Sequence, residues 1–155
     1  MRLWACSQED KMIQIYHGEG KGKTTAAIGL CVRAVGNNIP VIFSQFLKND
    51  SSGEIDILRN LPELTVIHPR VFHGFVKNMT EAELEETKKD NERMLNEIIA
   101  KAKLLVDTAK GIDDICGLLV MDEALHAMNA GLLSEQKMVE FLKTLPKNFE
   151  VVITG

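Results

Sequence analysis

The sequence predicts an α/β domain built on a mostly parallel β-sheet with helices covering both faces. Three observations predict it. Short apolar segments alternate with segments of helical period along the chain, as strand–helix–strand units require. One segment, Ile115–Met121, is apolar almost throughout, the pattern of a central strand buried on both faces. A glycine-rich stretch from Gly18 to Gly22 separates a strand pattern from a helix pattern, at the strand end where parallel sheets bind ligands.

Each element has its own signal. Met12–Tyr16 alternates apolar and polar residues and reads as a strand. From Thr24, the residues Ala26, Ala27, Leu30, Cys31 and Ala34 form a small-residue helix face, which Gly36-Asn37-Asn38 terminates. Val41–Phe46 is the second strand. After a polar loop from Lys48 to Gly53, Ile55, Leu58 and Leu61 predict a short helix, and Leu64–His68 a third strand. Thr80-Glu-Ala-Glu83 is a capping box, followed by Leu84, Thr87, Asn91, Leu95, Ile98, Ala102, Leu105 and Ala109 at helical spacing before Gly111. This predicts a long, largely surface-exposed helix. Beyond the central strand, Asp122–Asn129 reads as a helix, and Ser134 caps another carrying Met138, Val139, Phe141, Leu142 and Leu145. Pro146 ends that helix before a last strand, Phe149–Thr154.

Composition narrows the class. The 155 residues are 45% hydrophobic and 26% charged with net charge -4, which fits one folded domain and excludes a disordered chain. An acidic chain without a Lys/Arg stripe interleaved with aromatics offers nothing to nucleic acid. The 3 cysteines, Cys6, Cys31 and Cys116, have no metal-ligand spacing and suit a reducing cytosol. The N-terminus lacks a signal-peptide core, and no run approaches the ~18 apolar residues of a membrane span, so a cytoplasmic protein is expected. Residues 1–11 read as a flexible arm, on which Trp4 is either idle or docks on a ligand or partner. Residues 12–155 read as one domain.

The strongest chemical signal is His17-Gly-Glu-Gly-Lys-Gly-Lys-Thr-Thr25. Its place between strand and helix is that of a phosphate loop, and the sheet is then the three-layer P-loop NTPase (RecA-like) sandwich. Gly18, Gly20 and Gly22 let backbone N–H groups turn inward around an anion, and the following helix adds its positive N-terminus. Lys23 neutralises phosphate oxygens, Lys21 adds a second cation, and Thr24 carries the hydroxyl that ligates Mg²⁺. His17 stands where the standard pattern has its first glycine, so the direction of the triphosphate need not be the usual one. The second signal is Leu118-Leu-Val-Met-Asp122-Glu123, an apolar strand ending in two carboxylates. Such residues serve as helix caps or as a metal site; opposite a phosphate loop, the metal reading gains weight. Arg33 reads either as a solvated surface residue or as facing the sheet. His68, His73 and His126 have no ligand spacing.

Taken together, Gly18-x-Gly-Lys-Gly-Lys-Thr-Thr-Ala-Ala27, Arg33-Ala-Val-Gly36, Gln45-Phe-Leu-Lys48 with Gly53-Glu54, Asp122-Glu-Ala-Leu125 and Val151-Val-Ile-Thr-Gly155 resemble the P-loop family of corrinoid adenosyltransferases. The resemblance runs from about Met12 to the end. It implies transfer of the 5′-deoxyadenosyl group of ATP to Co(I) of a corrinoid, with release of tripolyphosphate. Attack falls on C5′, at the opposite end of the triphosphate from the bond an ATPase breaks, which suits a nucleotide held in reverse. Carried over by position, Gly18, Glu19, Gly20, Lys21, Gly22, Lys23, Thr24 and Thr25 bind phosphates, and Arg33 touches the nucleotide. Thr24 and Glu123 bind Mg²⁺ with Asp122 nearby, and Lys23, Thr24 and Glu123 are the catalytic set.

The segment Val71–Lys77 resembles the loop that covers the corrinoid, with Phe72 and Phe75 as contacts or equally as loop anchors. Lys77 stands where relatives carry a tryptophan. Relatives also continue past the position of Gly155 with a helix and a strand. A homodimer and a flavoprotein that reduces Co(II) are expected partners. Two other classes compete: a kinase or ATPase, in which Glu123 orients the nucleophile, and a nucleotide-dependent binding module without turnover.

Overall fold

The computed structural model describes residues 12–49, 52–109 and 116–155. The expectations for Trp4, Cys6, the 1–11 arm, Gly111 and Ile115 fall outside them. Five strands, β1 (Ile13–Tyr16), β2 (Val41–Gln45), β3 (Leu64–Ile67), β4 (Gly117–Asp122) and β5 (Phe149–Thr154), form one sheet in the order β1-β5-β4-β2-β3, and every pairing is parallel. The predicted sheet is therefore present. All carboxyl ends lie at one edge.

Alternation along the strands divides the core into two layers. Val41, Phe43, Leu118, Val120 and Val152 face α1 (Lys23–Gly36) and α2 (Gly53–Arg59), meeting Ala27, Cys31, Ala34, Ile55 and Leu58. Small residues on α1 let it lie close to the sheet. Burial pushes the Cys31 thiol up to about 12, so it behaves as a core hydrophobe. On the other face, Ile42, Leu119, Met121, Val151 and Ile153 meet α3 (Glu81–Thr108), α4 (Ala124–Asn129) and α5 (Glu135–Thr144). β4 is buried at every position, as its continuous apolar run requires.

One expectation needs correction. α3 is not largely exposed: Thr87, Asp90, Asn91, Met94, Leu95, Ile98 and Ala102 are buried along one side. α3 covers that sheet face together with α4 and α5, so one side of it is buried. The capping box forms as read, with Thr80 accepting from Glu83 N and Glu83 from Thr80 N. The helix past β4 begins at Ala124 rather than Asp122, because Asp122 still belongs to the strand. Among the described residues no helix is long and apolar enough to cross a membrane.

α3 also clamps the connection that follows β3. Asp90 Oδ2 accepts from Arg70 N at 2.7 Å, Asp90 Oδ1 from Arg93 Nε at 2.6 Å, and Arg93 Nη2 donates to the His68 carbonyl at 3.0 Å. Burial opposes ionisation of Asp90, but these donors outweigh it and hold its pKa below the usual 3.8. A carboxyl depressed in the folded state contributes stability above its unfolded pKa and loses it as pH falls through the folded value. Acid unfolding monitored by circular dichroism should therefore steepen below pH 3.8, and Asp90→Asn should flatten that limb while lowering stability at pH 7.

Candidate functional site

Polar side chains at three neighbouring strand ends converge on one carboxylate. β2 ends at Gln45, β4 at Asp122 and β5 at Thr154, and the register sets Gln45 beside Asp122. All three are fully buried. Asp122 Oδ2 accepts from Gln45 Nε2 at 2.9 Å, and Oδ1 from the Thr154 hydroxyl at 2.6 Å. The Thr24 hydroxyl, brought over by the first turn of α1, donates to both oxygens at 3.0 and 3.1 Å. Lys48 Nζ lies 3.4 Å from Asp122 Oδ2 and 3.3 Å from Thr24 Oγ1. A carboxylate this deep is tolerated in the fold only with such partners. Behind it, His68 Nε2 donates to Gln45 Oε1 at 3.4 Å, extending the polar chain toward β3.

Glu123 sits differently from its neighbour. Its backbone is left-handed (φ 60) at the N-cap of α4, and its N–H donates to Thr154 Oγ1 at 3.1 Å. Its carboxylate accepts from His126 Nδ1 and lies 3.9 Å from Lys48 Nζ. The structure thus brings Thr24 against Asp122, and Glu123 reaches the same ammonium from another side.

The glycine-rich loop lies at the N-terminus of α1, beside this cluster. Gly18, Gly20 and Gly22 have φ of 119°, 102° and 110°, and an added Cβ on any of them would meet nothing within 4 Å. Backbone conformation rather than space requires glycine there. Lys23 folds back over the loop, its Nζ donating to the carbonyls of Gly18 at 2.6 Å and Gly20 at 3.3 Å. Glu19, Lys21 and Thr25 are exposed. An open cavity of about 610 Å³ adjoins the loop, walled by His17–Gly20, Lys23, Leu125, His126, Asn129 and Gly155. Gly155 lets the end of β5 pass close to α4, since a Cβ there would lie 2.6 Å from Leu125 Cβ.

The remaining predicted residues lie elsewhere. Arg33 is in the last turn of α1 and exposed, ~15 Å along the helix from Lys23. Phe72 and Phe75 are exposed at 46% and 76%, and neither lines the cavity. Lys77 Nζ stands 5.9 Å from the Phe75 ring centroid, a cation–π distance. His73 ties the same loop to α3 through Glu86 at 2.9 Å. Sequence reasoning quoted Gln45, Lys48 and Thr154 but assigned them no role. The signal was available for two of them: a polar residue closing an apolar strand at its carboxyl end marks a site rather than a core.

A family model described as ATP:corrinoid adenosyltransferase BtuR/CobO/CobP matches residues 9–155. The chain is 30% identical over 150 residues to a corrinoid adenosyltransferase of Pseudomonas aeruginosa, a match covering 95% of this chain and 67% of that protein. It is 28% identical over 156 residues to the corrinoid adenosyltransferase of Escherichia coli strain K12, covering 99% of this chain and 72% of the relative. With the corrinoid adenosyltransferase CobA of Salmonella typhimurium the figures are 28% over 161 residues, 99% and 72%.

Proposed function

This chain belongs to the ATP:corrinoid adenosyltransferase family, and from that premise we propose that it transfers the 5′-deoxyadenosyl group of ATP to the Co(I) of a corrinoid in adenosylcobalamin synthesis or salvage. Co(I), the nucleophile, supplies the electron pair of the new Co–C bond. The C5′–O5′ bond breaks, and its electron pair leaves on the tripolyphosphate. Co(I) carries no proton, so the site needs no general base. It has to hold a leaving group and stabilise the charge that develops on it, an electrostatic task.

The observation that carries this reading is the convergence of Thr24 and Asp122 at the mouth of the glycine-rich loop. The phosphates lie on Gly18, Glu19, Gly20, Lys21, Gly22, Lys23, Thr24 and Thr25, with Lys23 exchanging the loop carbonyls for phosphate oxygens. The cavity beside the loop is the adjacent space for the rest of the nucleotide.

Whether a divalent cation fits can be judged from the donors. Among the described residues no group of 3 or more His, Cys, Asp or Glu side chains is placed to hold a metal. The set at Thr24 is instead a hydroxyl and carboxylates, which suits Mg²⁺ bound jointly with phosphate oxygens. It already accepts a positive charge, the Lys48 ammonium. Thr24, Asp122 and Glu123 are therefore the side chains that would hold Mg²⁺; bound there, the ion would stabilise charge on the leaving triphosphate.

Arg33 is assigned to the nucleotide and Phe72 and Phe75 to the corrinoid, the two exposed rings giving the apolar contact that a macrocycle face offers. A homodimer and an electron-donating flavoprotein complete the proposal, along with a cytoplasmic location. The test is product analysis with ATP, Mg²⁺ and chemically reduced cobalamin. Adenosylcobalamin and tripolyphosphate in equal amounts are expected; ADP and orthophosphate would overturn the reading in favour of phosphoryl transfer.

A further inference from the structure

The sequence after β2 makes an unusual turn. Phe46 N still bonds to the Asp122 carbonyl at 2.9 Å, and the next residue, Leu47, adopts a left-handed conformation with φ 56. A leucine there is strained and persists only when its surroundings impose it. Leu47 packs against the core. The turn redirects the chain so that Lys48 points back at the strand ends instead of outward into water.

Its ammonium then lies 3.3 Å from Thr24 Oγ1, 3.4 Å from Asp122 Oδ2 and 3.9 Å from Glu123 Oε1. Those are the three side chains assigned above to the divalent cation. One position cannot hold both charges. An ammonium left between the same carboxylates would also repel an arriving cation.

We propose that Lys48 is the protein's own stand-in for the divalent cation, and that it yields the position only when a triphosphate arrives with the metal. This deepens the adenosyltransferase reading and rests on its metal assignment. Without nucleotide, Lys48 compensates the buried Asp122 carboxylate. With nucleotide, phosphate oxygens give the displaced ammonium a new partner beside the site, so the cation enters without leaving Lys48 uncompensated. Metal and nucleotide binding are thereby coupled. In the nucleotide-free cluster the ammonium offsets one of the two carboxylate charges, which weakens the binding of stray divalent ions.

The test uses Mn²⁺ as the metal probe on the whole chain, with binding followed by electron paramagnetic resonance with and without ATP. Wild type should bind Mn²⁺ about 100-fold more tightly with ATP than without it, and Lys48→Met should tighten ATP-free binding by about 10-fold, shrinking the coupling. Lys48→Gln, close in shape and neutral, should behave as Lys48→Met does. Unchanged ATP-free affinity in both variants would overturn the proposal. Thermal unfolding gives a second reading: Mn²⁺ alone should raise the midpoint of Lys48→Met more than that of the wild type, and an equal rise in both overturns the stand-in role. Absence of Mn²⁺ binding even with ATP would overturn the metal assignment and this inference with it. Adenosyl transfer, measured separately by its products, could stand in that case.

Discussion

Replacing Asp122 with alanine will both weaken the fold and remove activity. The carboxylate accepts from Thr24, Thr154, Gln45 and Lys48, and it is fully buried. The two hydroxyls can rotate toward other acceptors. The Gln45 amide is fixed by the bond its Oε1 accepts from His68, so Nε2 has no such freedom. Lys48 is one-third exposed, so water recovers much of its lost pairing. The cost is then dominated by the buried amide and the lost charge-assisted bonds, about 3 kcal/mol in all. For a domain of this size that is a fall in Tm of roughly 6–12 °C, measurable by calorimetry. Activity should fall by about 10³ or more, because the same change takes away a group assigned to the cation. Assayed where the variant is fully folded, activity within about 10-fold of wild type would show that Asp122 is a structural residue.

Lys23→Ala should separate the two effects. Lys23 makes its contacts at the surface, to the carbonyls of Gly18 and Gly20. Losing them should change stability by less than about 0.5 kcal/mol, the usual range for surface positions. The assigned role in catalysis is large, since a cation aimed at the leaving triphosphate acts where charge develops. Loss of one such group typically costs 10²–10³ in rate, so kcat/KM for ATP should fall by about that factor while the unfolding midpoint stays in place. A drop in Tm as large as that of Asp122→Ala would mean that Lys23 organises the loop rather than the nucleotide. Together the two variants distinguish a site that is part of the core from one laid over it.

The parts of the fold that were legible share one property. The glycine loop, the capping box at Thr80 and Glu83, and the buried run of β4 are each specified by residues adjacent in the chain. The role of α3 was misjudged for the opposite reason. Its period was readable, but which sheet face lacked a cover depends on where α1 and α2 lie. Lys48 was hidden by a backbone turn: a leucine at positive φ leaves no trace in sequence, since nothing about leucine favours it.

By itself the sequence determined the class of this protein and its chemistry at the level of motifs: a strand–loop–helix phosphate cradle, an Asp122-Glu123 strand end, and the family those residues resemble. The tertiary structure decided which groups meet. Thr24, Gln45 and Thr154 lie 98, 77 and 32 residues from Asp122, and only the strand order that sets β4 between β5 and β2 brings them together. That order also decided which of the two adjacent carboxylates faces Thr24. The strand holds Asp122 toward α1, and the left-handed turn at Glu123 sends the next side chain to Lys48 and His126. Motifs are local and can be read along a chain; a buried carboxylate takes its partners from the packing, which the chain specifies only as a whole.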